Sequence, residues 1–245
     1  MNLAHFKKDF KKLSRPHDAK ILQRFFKTGP GEYGEGDLFA GIKTSPCRTL
    51  AKKYLDLSFA DIYLLLSSKI HEERSIALMI LVLRFKTALK DADERTQQQI
   101  YRFYMKNLKH VNNWDLVDGS APYINGPYLF KRDRKILYKL ATSKVLWERR
   151  IAMLTTFHFI RLQDFRDALK LANILLQDKH DLMHKAVGWM LREIGKRDIE
   201  AEKAFLDKHA VTMPRTALRY AIERFPEKER QYYLHLGTIR QRPFV

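Results

Sequence analysis

Apolar residues recur along this chain with the period of an α-helix. In HEERSIALMILVLRFKTAL, residues 71–89, Ile76, Met79, Ile80 and Leu83 fall on one stripe, and similar spacing runs through KVLWERRIAMLTTFHFI and HDLMHKAVGWMLREIG. The alternation that marks a strand is nearly absent. Start and stop signals suit short helices: Ser45 followed by Pro46 reads as an N-cap with proline in the first turn, Pro214 and Pro226 are placed to open later helices, and Gly195 to close one. The expectation is an all-α chain of roughly a dozen helices with short connections.

A longer period lies over the helical one. SIALMI from Ser75, RIAMLT from Arg150 and KAVGWM from Lys185 each set a small residue among apolar ones after a polar or basic position, and their first residues are 75 and 35 positions apart. These separations are close to two periods and one period of about 36, an interval at which helical-hairpin solenoids repeat. One period ahead of RIAMLT falls NWDLVD. The pattern predicts an α-α superhelix in which WDLVD, RRIAM and KAVGW take neighbouring positions on a concave surface, with an irregular helical bundle as the alternative that periodicity leaves open.

Charge narrows the partner. Lys and Arg number 46 against 28 Asp and Glu, a net charge of +18 with a pI near 9.9. Such a chain concentrates polyanions at its surface, and nucleic acid is the leading class. An anionic membrane surface competes, but the longest apolar run, residues 76–83, falls far short of the ~20 residues a spanning helix requires. The beginning, MNLAHFKKDFKKL, lacks an uninterrupted apolar segment and reads as a short basic amphipathic helix rather than a secretory signal. Cys47 is the only cysteine, which excludes an intramolecular disulfide and a multi-cysteine metal site and suits a reducing compartment.

Within this basic chain VNNWDLVDGSAPY, residues 111–123, places two aspartates beside a tryptophan. At 3.6 residues per turn Trp114 and Asp118 project within about 40° of each other, while Asp115 points about 100° from Trp114 and reads as a solvated or capping group. Two readings stay open. Trp114 is a core residue with Asp118 as a cap or ion-pair partner, or the two are an aromatic surface and a carboxylate placed to stabilise a developing cation in a basic groove.

NWDLVD, LWERRIAM and KAVGWMLRE, in this order and at these separations, resemble the DNA alkylation repair glycosylases of the AlkD family, and GIKTSPCRTLAK resembles that family's N-terminal segment. The resemblance runs over most of the chain. It implies one domain, 1–245, of HEAT-like helical repeats whose concave face holds duplex DNA and releases cationic N3- and N7-alkylated purines, reading the lesion without swinging it into a deep pocket. By motif, Asp118 becomes the catalytic carboxylate and Trp114 and Trp189 the aromatic groups against the lesion nucleotide. Arg150 becomes the groove arginine, with Arg149, Phe25 and Lys43 as further DNA contacts. A monomer without cofactor or metal, acting in the cytoplasm on alkylated double-stranded DNA, completes the expectation.

An alkylated purine is already a good leaving group, so such an enzyme has mainly to stabilise the oxocarbenium character that grows on deoxyribose. An ionised Asp118 does that and can orient the hydrolytic water, and indole faces favour a cationic sugar or base.

The chain departs from the family in QRFFKTGPGEYGEGDLFAGI, residues 23–42, which reads as an extended Gly-rich loop. Phe25 stands where the best-known members carry a tyrosine, and Tyr33 is the candidate to replace the missing hydroxyl. GPGEYGEG lacks the Lys-Ser/Thr ending of a phosphate-binding loop and bears Glu32, Glu35 and Asp37. His180 and His184 are spaced for one helix face without a third zinc ligand. Trp147 reads as packing between repeats, and GTIRQRPFV as a basic tail. Besides the glycosylase, the sequence admits a catalytically silent relative that binds duplex or branched DNA, and a helical-repeat scaffold for protein partners.

Overall fold

The computed structural model of the chain describes residues 2–239. Among these the regular structure is helical, and the only extended pairing is an isolated parallel bridge between Leu38 and Ile70. Among the described residues no helix is long and apolar enough to cross a membrane. The chain divides into two compact units, residues 1–124 and 125–245, with the division falling inside one helix.

The first unit holds α1 (Leu3–Leu13), α2 (Pro16–Phe25), α3 (Thr44–Lys53), α4 (Phe59–Leu66), α5 (His71–Lys90), α6 (Glu94–Lys106), α7 (Trp114–Asp118) and the start of α8 (Ala121–Leu129). The basic N-terminal segment is indeed an amphipathic helix, with Phe6 and Phe10 of α1 buried. At the centre, α5 packs against α3, α4, α6 and α7. Its burial exceeds the predicted stripe: Ala77, Leu78 and Leu81 are buried along with Ile76 and Ile80, while Met79 and Leu83 are half-buried. A helix enclosed on several sides must be apolar on several sides.

The first turn of α5 breaks that pattern. His71, Glu72, Glu73 and Arg74 are all buried, and all four bind residues outside the helix. Glu72 accepts the backbone N–H groups of Ala40, Gly41 and Ile42 at 2.9, 2.8 and 3.1 Å. Glu73 takes Lys7 Nζ at 2.6 Å, and Arg74 Nη2 donates to Asp37 at 2.7 Å. Buried charges persist only when so paired. Gly41 is required at the Glu72 contact: its φ is +79°, and a Cβ there would stand 2.1 Å from the Arg15 carbonyl oxygen. This anchorage brings the chain into α3 earlier than the Ser45–Pro46 signal suggests, so that Lys43 occupies the N-cap and Ser45 lies inside the helix.

The second unit continues α8 and adds α9 (Lys135–Ala141), α10 (Leu146–Arg161), α11 (Arg166–Leu175), α12 (Asp181–Gly195), α13 (Ile199–His209), α14 (Arg215–Ala221) and α15 (Glu227–Ile239). Gly195 ends α12, and Pro214 and Pro226 immediately precede α14 and α15, as their positions suggest. The segment read as a tail is partly helical, since Gly237–Ile239 belong to α15; residues 240–245 lie outside the described ones. In this unit α10 packs on α9, α11 and α12, and α12 packs on α14. The last contact depends on Gly188, where a Cβ would come within 2.3 Å of the Ala217 carbonyl oxygen.

The three sequence copies share a hydrogen-bonding device at the same separations of 75 and 35. Ser68, Ser143 and Asp178 each accept, through the side chain, the backbone N–H two residues on, from Ile70, Val145 and His180. Their carbonyl oxygens each accept from a basic side chain six residues on: Arg74 at 3.0 Å, Arg149 at 3.0 Å and His184 at 2.5 Å. The period is therefore a repeated way of starting a helix, closed from both sides by groups that would otherwise be left without partners.

Candidate functional site

The NWDLVD motif forms the short helix α7 and its cap. Asn113 is fully buried; its Oδ1 accepts the Trp114 N–H at 2.8 Å and its Nδ2 donates to Asp37 Oδ2 at 3.2 Å. Trp114 and Asp118 open and close the helix and are both half-buried. The Trp114 ring stacks on Phe26, with centroids 5.4 Å apart and planes at 17°, and meets Phe25 edge-on. Phe25 is 62 % exposed, so its ring is at the surface beside Trp114. Tyr33 reaches back to this place, its hydroxyl donating to the Phe25 carbonyl oxygen at 3.5 Å.

Asp118 lines a recess of about 340 Å³ between α3, α5 and α7. Leu78, Met79, Val82 and Leu116 contribute apolar wall, Asp115 and Asp118 the carboxylates, and Arg48 and Lys52 of α3 the cations. Such a mixture of apolar wall and a few convergent polar groups is the usual character of a ligand site. Lys43 lies exposed at the start of α3.

Asp115, a solvated or capping group by helical angle alone, is only partly solvated and is bound to another helix. Its Oδ2 accepts from His71 Nε2 at 2.8 Å, and His71 Nδ1 stands 3.2 Å from Asp37 Oδ2. Burial works against the charge on His71, yet Asp115 and Asp37 together hold its pKa above the ordinary histidine value. Burial likewise opposes the Asp37 charge, which His71, Arg74 and Asn113 outweigh, so this carboxyl titrates below its usual range. His71, Asp37, Arg48 and Lys52 are not singled out by motif. The run of four polar residues opening an otherwise apolar helix was the signal available for His71.

In the second unit Trp189 is half-buried on α12, tilted against Phe157 at 5.9 Å, with its Nε1–H donating to Glu193 Oε1 at 3.3 Å. Arg150 differs from expectation. It is 4 % exposed, and its Nη1 donates to the Leu182 carbonyl oxygen at 2.5 Å, so in this state it faces protein rather than solvent. Arg149 is also held internally, its Nε 2.5 Å from Asp178 Oδ2. The repeated helix-start device draws Arg149 inward through the Ser143 carbonyl oxygen, whereas Arg150 is drawn to the first turn of α12 by the Leu182 carbonyl oxygen. Trp147 is buried, in keeping with its packing role. His180 accepts the Leu182 N–H through Nδ1, and His184 serves the Asp178 carbonyl, so both are engaged in starting α12. Among the described residues no group of three His, Cys, Asp or Glu is arranged to hold a metal ion.

Residues 6–225 match the family described as DNA alkylation repair enzyme. Among curated proteins none matches the chain. Among solved structures, one described as a predicted DNA alkylation repair enzyme from Enterococcus faecalis is 14 % identical with a TM-score of 0.65, over 87 % of this chain and 97 % of that one. AlkD2 from Streptococcus mutans is 18 % identical with a TM-score of 0.52, over 91 % and 96 %. At these identities the two structures establish a common fold.

Proposed function

We propose that this chain, which belongs to the DNA alkylation repair enzyme family, is a DNA glycosylase that releases cationic N3- and N7-alkylated purines from duplex DNA. The observation that carries the reading is Asp118: a half-buried carboxylate bordering an apolar recess that Arg48 and Lys52 also line, and one helical turn from a half-exposed tryptophan. Asp118 stabilises the cationic sugar as the glycosidic bond lengthens and orients the water that completes hydrolysis. Trp114 presents an indole to the same nucleotide, and Trp189 of the second unit is a further aromatic contact with DNA. Arg48, Lys52 and Lys43 offset the repulsion between Asp118 and DNA phosphates. The protein acts as a monomer, without a cofactor, in the cytoplasm.

Single-turnover release of N7-methylguanine from a duplex tests this. The parent releases the base, and Asp118→Asn, which keeps size but removes charge, slows release by ~100-fold or more, the scale set by losing one preorganised electrostatic group. Melting and affinity for undamaged duplex hold level. Release by Asp118→Asn at the parent's rate removes the assigned mechanism.

A second reading, a catalytically silent duplex binder, is favoured by the inward Arg150 and the missing hydroxyl at Phe25. It predicts no release from the parent but retained affinity. In both readings, neutralising about five phosphates makes log affinity fall against log salt with a slope near −4 to −5. A flat dependence removes both.

A further inference from the structure

His71 lies where three segments of the first unit meet: α5, which it opens, the loop between α2 and α3, and α7. Its ring packs against Phe39, at 4.7 Å and 20°, and Phe26, at 4.8 Å and 38°, two rings that also stack on each other at 5.0 Å; Phe26 in turn stacks on Trp114. The imidazole is thus part of the aromatic stack that supports the indole.

Both ring nitrogens face carboxylate oxygens. An ionised carboxylate only accepts, so the contacts of Nδ1 with Asp37 and Nε2 with Asp115 are both hydrogen bonds only when each nitrogen carries a proton. That form is the imidazolium. Asp37 is kept ionised by Arg74 Nη2 at 2.7 Å and also accepts from Asn113. The charged groups facing the ring are therefore Asp37 from the loop, Asp115 from α7 and Arg74 from α5, whose Nη2 lies 3.4 Å from Nδ1, opposes the imidazolium charge and donates to Nδ1 only when that nitrogen is bare. Glu72, next in sequence, is turned to the backbone of residues 40–42.

We propose that the His71 imidazolium is a positioning residue that fixes α7 to the N-terminal loop, so that Trp114 and Asp118 keep their places only while both ring nitrogens are protonated. Removing the Nε2 proton leaves a lone pair directed at Asp115, and removing the Nδ1 proton leaves one that Arg74 can meet but that faces Asp37 at 3.2 Å, so either loss turns one of the two carboxylate links from attraction into repulsion. α7 then loses either its tie through Asp115 or the loop behind Trp114. The direction of the His71 shift puts this change on the alkaline side of about 6.5, the ordinary value for the side chain. The consequence for catalysis rests on the glycosylase reading; the positional claim rests on this geometry alone.

The full chain labelled with ¹⁵N decides the matter. Long-range proton–nitrogen spectra of the His71 ring and the indole N–H signal of Trp114 are followed against pH, beside single-turnover release by the parent and by His71→Gln. The expected result is a doubly protonated ring at pH 6.5, a Trp114 signal that moves with the His71 midpoint above that pH, and release that falls through the same midpoint. His71→Gln releases base more slowly and lacks that alkaline limb, which a merely structural residue would leave in place. A ring already neutral at pH 6.5, or a Trp114 signal indifferent to the titration, overturns the proposal. Both signals are read on the parent, so they decide it even where His71→Gln does not fold or the parent releases no base, the latter ending the glycosylase reading instead.

Discussion

The Phe25 ring meets the Trp114 indole edge-on, with centroids 6.0 Å apart and planes at 69°. One residue is the last of α2 and the other the first of α7, so this contact joins the segment that leads into the Gly-rich loop to the NWDLVD motif. Phe26, beneath both, is buried and Phe25 is exposed. The consecutive phenylalanines thus divide support and surface between them.

Phe25→Tyr is therefore expected to fold normally, because the added hydroxyl enters solvent rather than core. Release of N7-methylguanine stays level or rises modestly, and melting stays within about 0.5 kcal/mol of the parent, the range of surface substitutions. Calorimetry and single-turnover rates on the two proteins check this. A large loss of stability would mean that the ring at position 25 is packed against more than Phe26 and Trp114.

Arg149 illustrates a basic residue that supports the fold. It bridges Asp178 of one helix start and the carbonyls of Ser143 and Lys144 of another. Arg149→Ala leaves the nearly buried Asp178 carboxylate with less compensation, and a loss of about 3 kcal/mol is expected, the lower end for breaking a buried pair. Chemical denaturation measures it. If Arg149 were mainly a DNA contact, the variant would instead keep its stability and lose affinity with a shallower salt slope.

The fold was legible because helical period, proline and glycine positions are local signals, and the repeat was legible because each copy reuses one local device. Ser68, Ser143 and Asp178 make that device explicit only in three dimensions, since a serine and an aspartate serve the same two bonds. The candidate site was legible as far as it lies within one motif: Trp114 and Asp118 share α7. Asp115 was misread because helical angle says which way a side chain leaves its helix and nothing of what waits there. Its partner His71 is 44 residues away, and Asp37 is 34 residues before that. Arg150 was placed by motif, whereas its direction is set by the Leu182 carbonyl, which no spacing rule reveals.

Glu202 carries a pH dependence of opposite origin. It is almost fully buried on α13 with Oε1 unpartnered, and burial, only partly offset by Arg192, pushes its pKa up to about 8. The native state then holds a proton that the unfolded chain releases above about 4.5, the free value, so the contribution to stability declines as pH rises from there to about 8. Glu202→Gln removes this titration while keeping the size. Its melting temperature relative to the parent should climb across that window and level off above it. A constant difference from pH 5 to pH 8.5 would show that Glu202 titrates normally.

Asp115→Asn separates the two carboxylates of α7. An asparagine oxygen still accepts from His71 Nε2, but the charge that favours the imidazolium is gone, leaving Asp37 to balance His71 and Arg74 alone. The loss is expected at about 2 kcal/mol, within the range for hydrogen bonds to charged groups, or a melting shift of about 4–8 °C for a chain of this size. The sign with pH follows from the raised His71 value: the pair's contribution is complete below about 6.5 and disappears as pH rises through the folded-state pKa, so parent and variant converge at alkaline pH. Asp118→Asn, on the same helix, should show no such convergence and little melting shift. Thermal melts of the parent and both variants from pH 5.5 to 9 measure this directly. If Asp115→Asn melts with the parent at every pH, the His71–Asp115 bond contributes nothing, and α7 is held by Asn113 and the Phe26 stack instead.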